Sequence, residues 1–407
     1  MAEEPVRLAF IGCGGMSRTH VRGWGALHAK GANFKVVGAA DAVESLAAGH
    51  AATVAGWQGQ TPAVYTDWRR MVEECKPTAV DVCTPHHLHH EVACGCMEAG
   101  VDVIVEKPLA VTLRAARRML AAAGKTSAIL AVAEQVRRWP GPRALAWAAG
   151  GGPLGTPLLC SIQHVGGARR DPAIQTVPQP MPWRLERVSA GGGVVVDIGV
   201  HMADLLLRCF GPIRRVTASC RCFADLTYGD GRRPSVEDAA FIQLEFDSGM
   251  SGTWTHAGRL AGEGVQNNTY YGTGGSVVAP GFYPRVPRFT SWDGDGVMEG
   301  PQFIAAYLAA LTAPERERLF PSWVAADPLQ PKGGDLGIQL ELADFLDAVR
   351  TRRRPEVGGA EGLAAQAVSA AILESAELGG QPVLLDDVVS GRVSRYQDPI
   401  DAALGLA

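Results

Sequence analysis

Short apolar runs alternate with helix-like segments through the first third of the chain. The apolar runs predict strands at residues 6–11, 34–40, 79–83, 101–105 and 128–133. Segments with apolar positions at helical spacing lie between them, at 16–30, 89–99 and 112–123. Strands that alternate with helices favour a parallel sheet with helices on both faces. We therefore expect a doubly wound α/β domain over residues 1–135.

The remaining residues, 136–407, show a different pattern in which strands follow one another. Strands are predicted at 158–164, 214–223, 238–246 and 250–257, with a strand, turn and strand over 269–278. Helices are predicted over 194–210, 339–351 and 360–378, and a last strand over 382–385. Residues 280–335 have little periodicity and receive no assignment. A Pro- and Gly-rich loop at 166–184 can form the wall of a pocket.

A glycine loop, Gly12-Cys13-Gly14-Gly15, follows the first strand directly, and Met16 opens the next helix. Gly12 permits a tight turn, and Gly14 lets the backbone approach a pyrophosphate at the helix N-terminus. The third fingerprint position is Ser17, which is still compact. Asp41 ends the second strand and can accept both ribose hydroxyls of NAD, whereas it would repel the 2′-phosphate of NADP. The loop therefore predicts NAD as cofactor, with a purely structural turn as the alternative.

Polar residues follow the other predicted strands of this domain. Because the carboxyl ends of parallel strands meet at one edge, where ligands bind, we expect these residues to face the cofactor. The complete set that we assign to the cofactor is Gly12, Cys13, Gly14, Gly15, Met16, Asp41, Thr84, Pro85, His89, Glu106, Lys107 and Gln135.

Composition and charge exclude several classes of protein. The 407-residue chain has 47 % hydrophobic residues and a net charge of −4, which gives no electrostatic case for nucleic acid or an anionic membrane. No apolar run reaches the ~20 residues that span a bilayer. The N-terminus lacks the features of a signal peptide, so we expect a cytoplasmic protein.

Cysteine and histidine usage does not favour a metal site. Nine cysteines, mostly in apolar segments, are expected to be reduced thiols, most of them buried. Four histidines cluster at positions 86, 87, 89 and 90, but no carboxylate or cysteine completes a ligand set there. We therefore expect solvent-facing or cofactor-side histidines and no metal.

These motifs, taken in order, resemble the Gfo/Idh/MocA family (glucose–fructose oxidoreductase, inositol dehydrogenase and relatives). The matching residues are Gly12-Cys13-Gly14-Gly15-Met16 with His20, Thr84-Pro85 with His89, Glu106-Lys107-Pro108, Trp183-Arg184, and Gly192-Gly193 leading to Asp197-Ile198-Gly199-Val200-His201. The resemblance implies a Rossmann domain followed by an α/β domain with a large, open, mostly antiparallel sheet. It also implies a sugar or cyclitol substrate and a homodimer or homotetramer.

The resemblance implies roles for three catalytic candidates, Lys107, Asp197 and His201. Oxidation of an alcohol needs a base for the hydroxyl proton, which is His201, and a cation near the developing alkoxide, which is Lys107. Asp197 lies four residues before His201 and can orient its imidazole or bind the substrate. Taken alone, the Asp197/His201 spacing also fits a buried structural pair.

The substrate-side candidates besides these three are Arg138, His164, Trp183 and Arg184. The alternative is that Trp183 belongs to the core and Arg184 pairs with an acid. The leading hypothesis is an NAD-dependent dehydrogenase of a sugar, glycoside or cyclitol hydroxyl. A redox-neutral enzyme that cleaves glycosides with retained NAD, and a non-catalytic NAD or sugar sensor, remain alternatives.

Overall fold

The computed structural model describes residues 4–168, 182–228, 230–281, 283, 285–325, 327–329 and 335–407. The chain forms two compact units. The first comprises Met1–Ala110, Arg114–Arg138 and Pro314–Leu363, and the second comprises Val111–Leu113, Trp139–Ala313 and Ala364–Ala407. The first unit thus includes 314–363, which the sequence pattern had left with the second domain. Each unit consists of three separate segments of the chain, so a single boundary at residue 135 does not describe this division.

The strands within the described residues are β1 (Val6–Ile11), β2 (Phe34–Ala40), β3 (Ala63–Tyr65), β4 (Ala79–Val82), β5 (Asp102–Glu106), β6 (Leu130–Ala133), β7 (Pro157–Ala168), β8 (Ile213–Arg221), β9 (Ala239–Phe246), β10 (Ser251–Ala261), β11 (Val265–Gly272), β12 (Gly275–Pro280), β13 (Arg288–Ser291), β14 (Val297–Met298) and β15 (Val383–Leu384).

The α-helices within the same residues are α1 (Gly15–Ala29), α2 (Glu44–Gln58), α3 (Trp68–Cys75), α4 (His89–Glu98), α5 (Leu113–Thr126), α6 (Pro140–Ala149), α7 (Arg187–Ala190), α8 (Val194–Asp197), α9 (Gly199–Phe210), α10 (Gly300–Ala310), α11 (Ala313–Leu319), α12 (Leu336–Thr351), α13 (Gly359–Glu377), α14 (Leu385–Ser390) and α15 (Asp398–Ala403).

The first unit contains a six-stranded sheet in the order β3-β2-β1-β4-β5-β6. Every pair in it is parallel. All residues of β4 and β5 are buried, as expected for central strands with both faces covered. The predicted doubly wound parallel sheet is therefore confirmed, although β3, α2 and α3 had no sequence assignment.

The second unit contains a nine-stranded sheet in the order β14-β13-β12-β11-β7-β10-β9-β8-β15. Only β7 and β10 pair in parallel, while the other neighbouring pairs are antiparallel. Trp254 of β10 is fully buried. The mostly antiparallel sheet implied by the family resemblance is thus confirmed.

The structure differs from the predicted elements at two places that bear on function. The helix predicted over 194–210 is two helices, α8 and α9, which meet at Ile198. Gly199 opens α9 against Trp254, whose ring lies 3.1 Å from the position of a Cβ built on that glycine. The unassigned stretch 280–335 contains β13, β14, α10 and α11.

Further sequence predictions concern cysteines and segments outside the described residues. All nine cysteines are free thiols, but the expectation that most of them are buried is wrong, because four are buried, four are half-buried and one is exposed. Most of the predicted pocket-wall loop, at 169–181, lies outside the described residues, as do 1–3 and 330–334.

No single helix in the described part of the chain is both long and apolar enough to cross a membrane. Two consecutive helical segments, Arg187–Asp197 and Gly199–Phe210, are together long and apolar enough by length and composition alone, but they are bent by 51° at the break between them.

Gly193, which precedes α8, has no room for a side chain. A Cβ at this position would lie 1.8 Å from the carbonyl oxygen of Glu237, so the backbone would have to move. We expect G193A to lower the free energy of unfolding by about 1–3 kcal/mol, as overpacking does. Urea denaturation measures this change.

The control is G124A in α5, where a Cβ would meet nothing within 4 Å. It should leave stability unchanged or raise it slightly, because alanine favours helix over glycine. Equal stability of G193A and wild type would contradict the expected clash.

Candidate active site

The glycine loop of the first unit is closely packed on one side and open on the other. Gly12 has φ +85°, and a Cβ there would lie 2.7 Å from the backbone of Cys83 and Thr84. At Gly14 and Gly15 a Cβ would meet nothing within 4 Å. The loop therefore leaves backbone accessible at the N-terminus of α1, where N–H groups and the helix dipole favour phosphate.

Asp41 is held beside this loop through both carboxylate oxygens. Its Oδ2 accepts a hydrogen bond of 2.7 Å from the backbone N–H of Cys13, and its Oδ1 accepts one of 2.8 Å from Val43. The side chain of Cys13 is fully buried, and burial raises the pKa of its thiol. Neither the thiol of Cys13 nor its backbone N–H is therefore open to a ligand, since the thiol is buried and the N–H is bonded to Asp41.

Two buried polar atoms at the carboxyl edge of the parallel sheet fit a cofactor site. Within the described residues, neither Thr84 Oγ1 nor Gln135 Oε1 has a hydrogen-bond partner. Met16, in the first turn of α1, and Pro85, after β4, are both half-buried beside this edge of the chain's first unit. Together with the open glycine loop, these groups fit NAD.

His89 connects two loops of the first unit. Its Nδ1 lies 2.8 Å from the carbonyl oxygen of Pro108, and its Nε2 lies 3.0 Å from that of Thr84. Burial lowers the pKa of His89. His86 is also buried, so of the two expected environments the solvent-facing one does not hold for these two residues. Cofactor contact by His89 stays a prediction.

Lys107 follows the buried end of β5 and is half-buried itself, with a cis peptide bond to Pro108. The preceding Glu106 is 5 % exposed, and its Oε1 lies 3.1 Å from Nε2 of His20 on α1. His20 Nδ1 in turn lies 2.9 Å from Oδ2 of Asp81 on β4. Sequence reasoning noted His20 only as part of a motif and missed this buried contact, because β1, α1, β4 and β5 meet only in three dimensions.

Asp197 and Arg184 form an ion pair in the second unit. Arg184 Nη1 lies 2.5 Å from Asp197 Oδ1, and each side chain is 30 % exposed. The guanidinium of Arg184 also lies 4.9 Å from the ring centroid of Trp183. The sequence alternative in which Arg184 pairs with an acid is therefore observed, and the acid is itself a site candidate.

His201 lies on α9, beyond the break at Ile198, and is 4 % exposed. Its ring meets that of Tyr283 edge-on, with centroids 5.5 Å apart. The predicted continuous helix is wrong, because α8 ends at Asp197 and α9 begins at Gly199, so orientation of His201 by Asp197 stays a prediction.

A cavity of about 270 Å³ lies within the second unit. Its walls include the charged pair Arg184 and Asp197 and apolar side chains such as Leu185, Ile198 and Val236. The Glu237 carboxylate, also at the wall, accepts hydrogen bonds from the backbone N–H groups of Gly193 and Val195. The cavity thus combines an apolar surface with fixed charges, as small-molecule sites do.

Two other substrate candidates are buried among protein partners. Arg138 is 2 % exposed and bonds Asp344 at 3.1 Å and Glu356 at 3.2 Å, all within the first unit. His164 is 1 % exposed, and its Nε2 lies 2.7 Å from Asn268 Oδ1. Both arrangements resemble internal polar contacts, and substrate binding by either residue stays a prediction.

The fold and glycine loop define a dinucleotide-binding α/β protein, and comparison with known families agrees. Residues 6–134 match the model described as "Oxidoreductase family, NAD-binding Rossmann fold". Residues 143–278 match the GFO/IDH/MocA C-terminal domain. The chain therefore belongs to the Gfo/Idh/MocA family, and its first unit contains an NAD-binding Rossmann domain.

Individual relatives are more distant. The chain is 31 % identical to a 1,5-anhydro-D-fructose reductase from Ensifer adhaerens over 54 % of this chain and 62 % of that protein. It is 30 % identical to a D-apiose dehydrogenase from Paraburkholderia graminis over 60 % of this chain and 58 % of that protein. The chain thus spans less than two thirds of these relatives. A solved levoglucosan dehydrogenase in complex with NADH superimposes with a TM-score of 0.75 at 24 % identity, covering 94 % of this chain and 99 % of that one, which shows a shared fold.

His164 and His256 form a buried neighbouring pair, with ring centroids 5.6 Å apart. Burial lowers the pKa of His164 to about 4, although its hydrogen bond with Asn268 acts to raise it. Burial, followed by the neighbouring His164, lowers the pKa of His256 to about 3. Between pH 6.5 and 4 the unfolded chain therefore binds protons at these positions that the folded chain does not.

We expect the free energy of unfolding to fall as the pH decreases through this window, and the fall to be smaller in H256Q. Chemical denaturation at a series of pH values measures both slopes. T255V, at the adjacent position of β10, serves as the control and should keep the wild-type slope. An unchanged slope in H256Q would count against a neutral, buried pair.

Proposed function

We propose that the protein oxidises a secondary hydroxyl of a sugar, glycoside or cyclitol in an NAD-dependent reaction. The observation that carries this proposal is the place of Lys107, which directly follows a buried strand at the ligand-binding edge of the NAD-binding sheet. The two curated relatives above are named for reactions on sugars, which supports a carbohydrate substrate. Association as a homodimer or homotetramer stays a prediction.

The proposed chemistry assigns a separate task to each of three residues. When bound, NAD supplies the nicotinamide carbon that accepts a hydride. Lys107 places a positive charge near the substrate oxygen and so stabilises the charge that develops there. His201 takes the hydroxyl proton as general base. Asp197, held by Arg184, binds a substrate hydroxyl or orients His201.

The first test of this function is formation of NADH with a panel of sugars, glycosides and inositols, followed by absorbance. We expect turnover with one compound class in the wild type. K107A should lose at least about a hundredfold in kcat, because the charge acts mainly in the transition state, while NAD binding is largely kept. The control K125A removes an exposed lysine of α5 and should behave as wild type.

Two outcomes would contradict the proposal. Near-normal turnover in K107A would remove Lys107 from the chemistry. Absence of NADH across the panel, combined with release of an aglycone from a glycoside, would instead favour the redox-neutral alternative.

Asp41 generates a separate prediction about the cofactor. The carboxylate is fixed next to the glycine loop, where it can bind ribose hydroxyls and repel a 2′-phosphate. We expect D41N to lower the ratio of kcat/KM for NAD over NADP by about tenfold or more, because a charge repulsion of ~1.4 kcal/mol corresponds to that factor. Steady-state kinetics with both cofactors measures the ratio.

D41N is preferred to D41A because an amide oxygen can still accept the N–H of Cys13. D67N changes an aspartate that caps α3 instead and should leave the ratio unaltered. Undiminished preference for NAD in D41N would show that the charge of Asp41 does not select the cofactor.

A further inference from the structure

His20 is the centre of a buried group of ionisable side chains in the first unit. It is fully buried, as is Asp81, and Glu106 is 5 % exposed. Nδ1 lies 2.9 and 3.0 Å from the two carboxylate oxygens of Asp81, and Nε2 lies 3.1 Å from Oε1 of Glu106. Trp24 Nε1 also donates to Asp81 Oδ2, at 2.8 Å. One imidazole therefore bridges two carboxylates that are away from solvent.

This geometry favours a doubly protonated ring. A neutral imidazole has one N–H and could donate to only one of the two carboxylates, whereas an imidazolium donates to both. Two buried carboxylates without a nearby cation would also be costly. Burial acts to lower the pKa of His20, but the charge of Asp81 outweighs it and raises the pKa well above its usual value. Burial raises the pKa of Glu341, whose Oε1 lies 3.7 Å from Nε2 of His20.

A metal ion is a poorer explanation of the same group. His20, Asp81 and Cys83 offer three possible ligand atoms within 4.8 Å of one another. However, the contact of 2.9 Å between Nδ1 and Asp81 has the length of a direct hydrogen bond, which favours a proton rather than a metal ion between them. Burial raises the pKa of the Cys83 thiol to about 12, which disfavours the thiolate that a metal would need.

The bridge joins the two functional parts of the first unit. His20 lies on α1, whose first residue is Gly15 of the cofactor loop. Glu106 ends β5 and immediately precedes Lys107. We propose that His20 is a positioning residue that, by bridging Asp81 and Glu106 as an imidazolium, holds the Glu106-Lys107-Pro108 turn in place relative to the cofactor loop. This inference rests on the proposed catalytic function of Lys107.

The test compares H20Q, E106Q and the double variant H20Q/E106Q. Because His20 acts through Glu106, each single variant should lose at least tenfold in kcat, with KM and the Kd for NAD changed less than threefold. The double variant should be no worse than the worse single variant, since coupled residues are non-additive. H50Q is the matched control, because His50 is another buried histidine but its Nε2 bonds the hydroxyl of Ser17 at 2.9 Å. It should keep wild-type kcat.

A second measurement does not depend on turnover or on the folding of H20Q. In protein with ¹⁵N-labelled histidine, NMR should show one ring that stays doubly protonated above pH 8. In D81N and in E106Q that ring should lose its proton at lower pH. The ionisable groups around it are Asp81, Glu106 and Glu341, with Cys83 beside them.

The outcomes separate this inference from the proposed function. Wild-type kcat in H20Q, additive losses in the double variant, or absence of a ring doubly protonated above pH 8 would each overturn the role of His20. An imidazolium signal in a protein that forms no NADH with any sugar would instead uphold the bridge and reject the dehydrogenase function.

Discussion

The cofactor end of the first unit depends on the close contact between the backbone at Gly12 and the backbone of Cys83 and Thr84. A Cβ at Gly12 would lie 2.7 Å from those atoms, and the backbone there has φ +85°. Only glycine satisfies both conditions without strain. The contact sets where the chain turns from β1 into α1 and therefore where α1 begins. One edge of the sheet consequently carries the N-terminus of α1, Asp41 and the end of β4.

Two buried histidines near this edge show how the partners of a ring decide the direction of its pKa shift. His89 lies between two backbone carbonyls, which are neutral, and burial lowers its pKa. His20 lies between two carboxylates, and the charge of Asp81 overcomes burial and raises its pKa. Burial alone thus does not give the sign of the shift. In the first unit one buried ring contacts two backbone carbonyls, while the other bridges two buried acids.

Much of the first unit could be predicted from sequence, because its signals are local. The strands at 6–11 and 34–40 are mostly apolar runs, each with one exposed charged residue near its start, and Gly12 and Asp41 follow them at the spacing that dinucleotide binding needs. The contacts of His20 with Asp81 and Glu106 could not be predicted, since they join residues 61 and 86 positions apart. The same holds for residues 314–363, whose association with the first unit is a tertiary contact that periodicity does not report.

The second unit shows where a local signal misled. An aspartate and a histidine four residues apart indicate a shared helical face, but this inference requires an unbroken helix. Here α8 ends at Asp197, and Gly199 allows the next helix to pack against Trp254. Asp197 contacts Arg184, in a pair that is 30 % exposed on each side.

The location of that pair argues for function rather than stability. An ion pair with this much solvent exposure contributes only about 0–1 kcal/mol to folding, because water screens it. Both groups nevertheless line the cavity of the second unit, whose other wall residues include apolar side chains such as Leu185 and Val236. Fixed charges in a wall that is also partly apolar orient a polar ligand. The geometry of this unit alone therefore favours Asp197 and Arg184 as substrate-side groups.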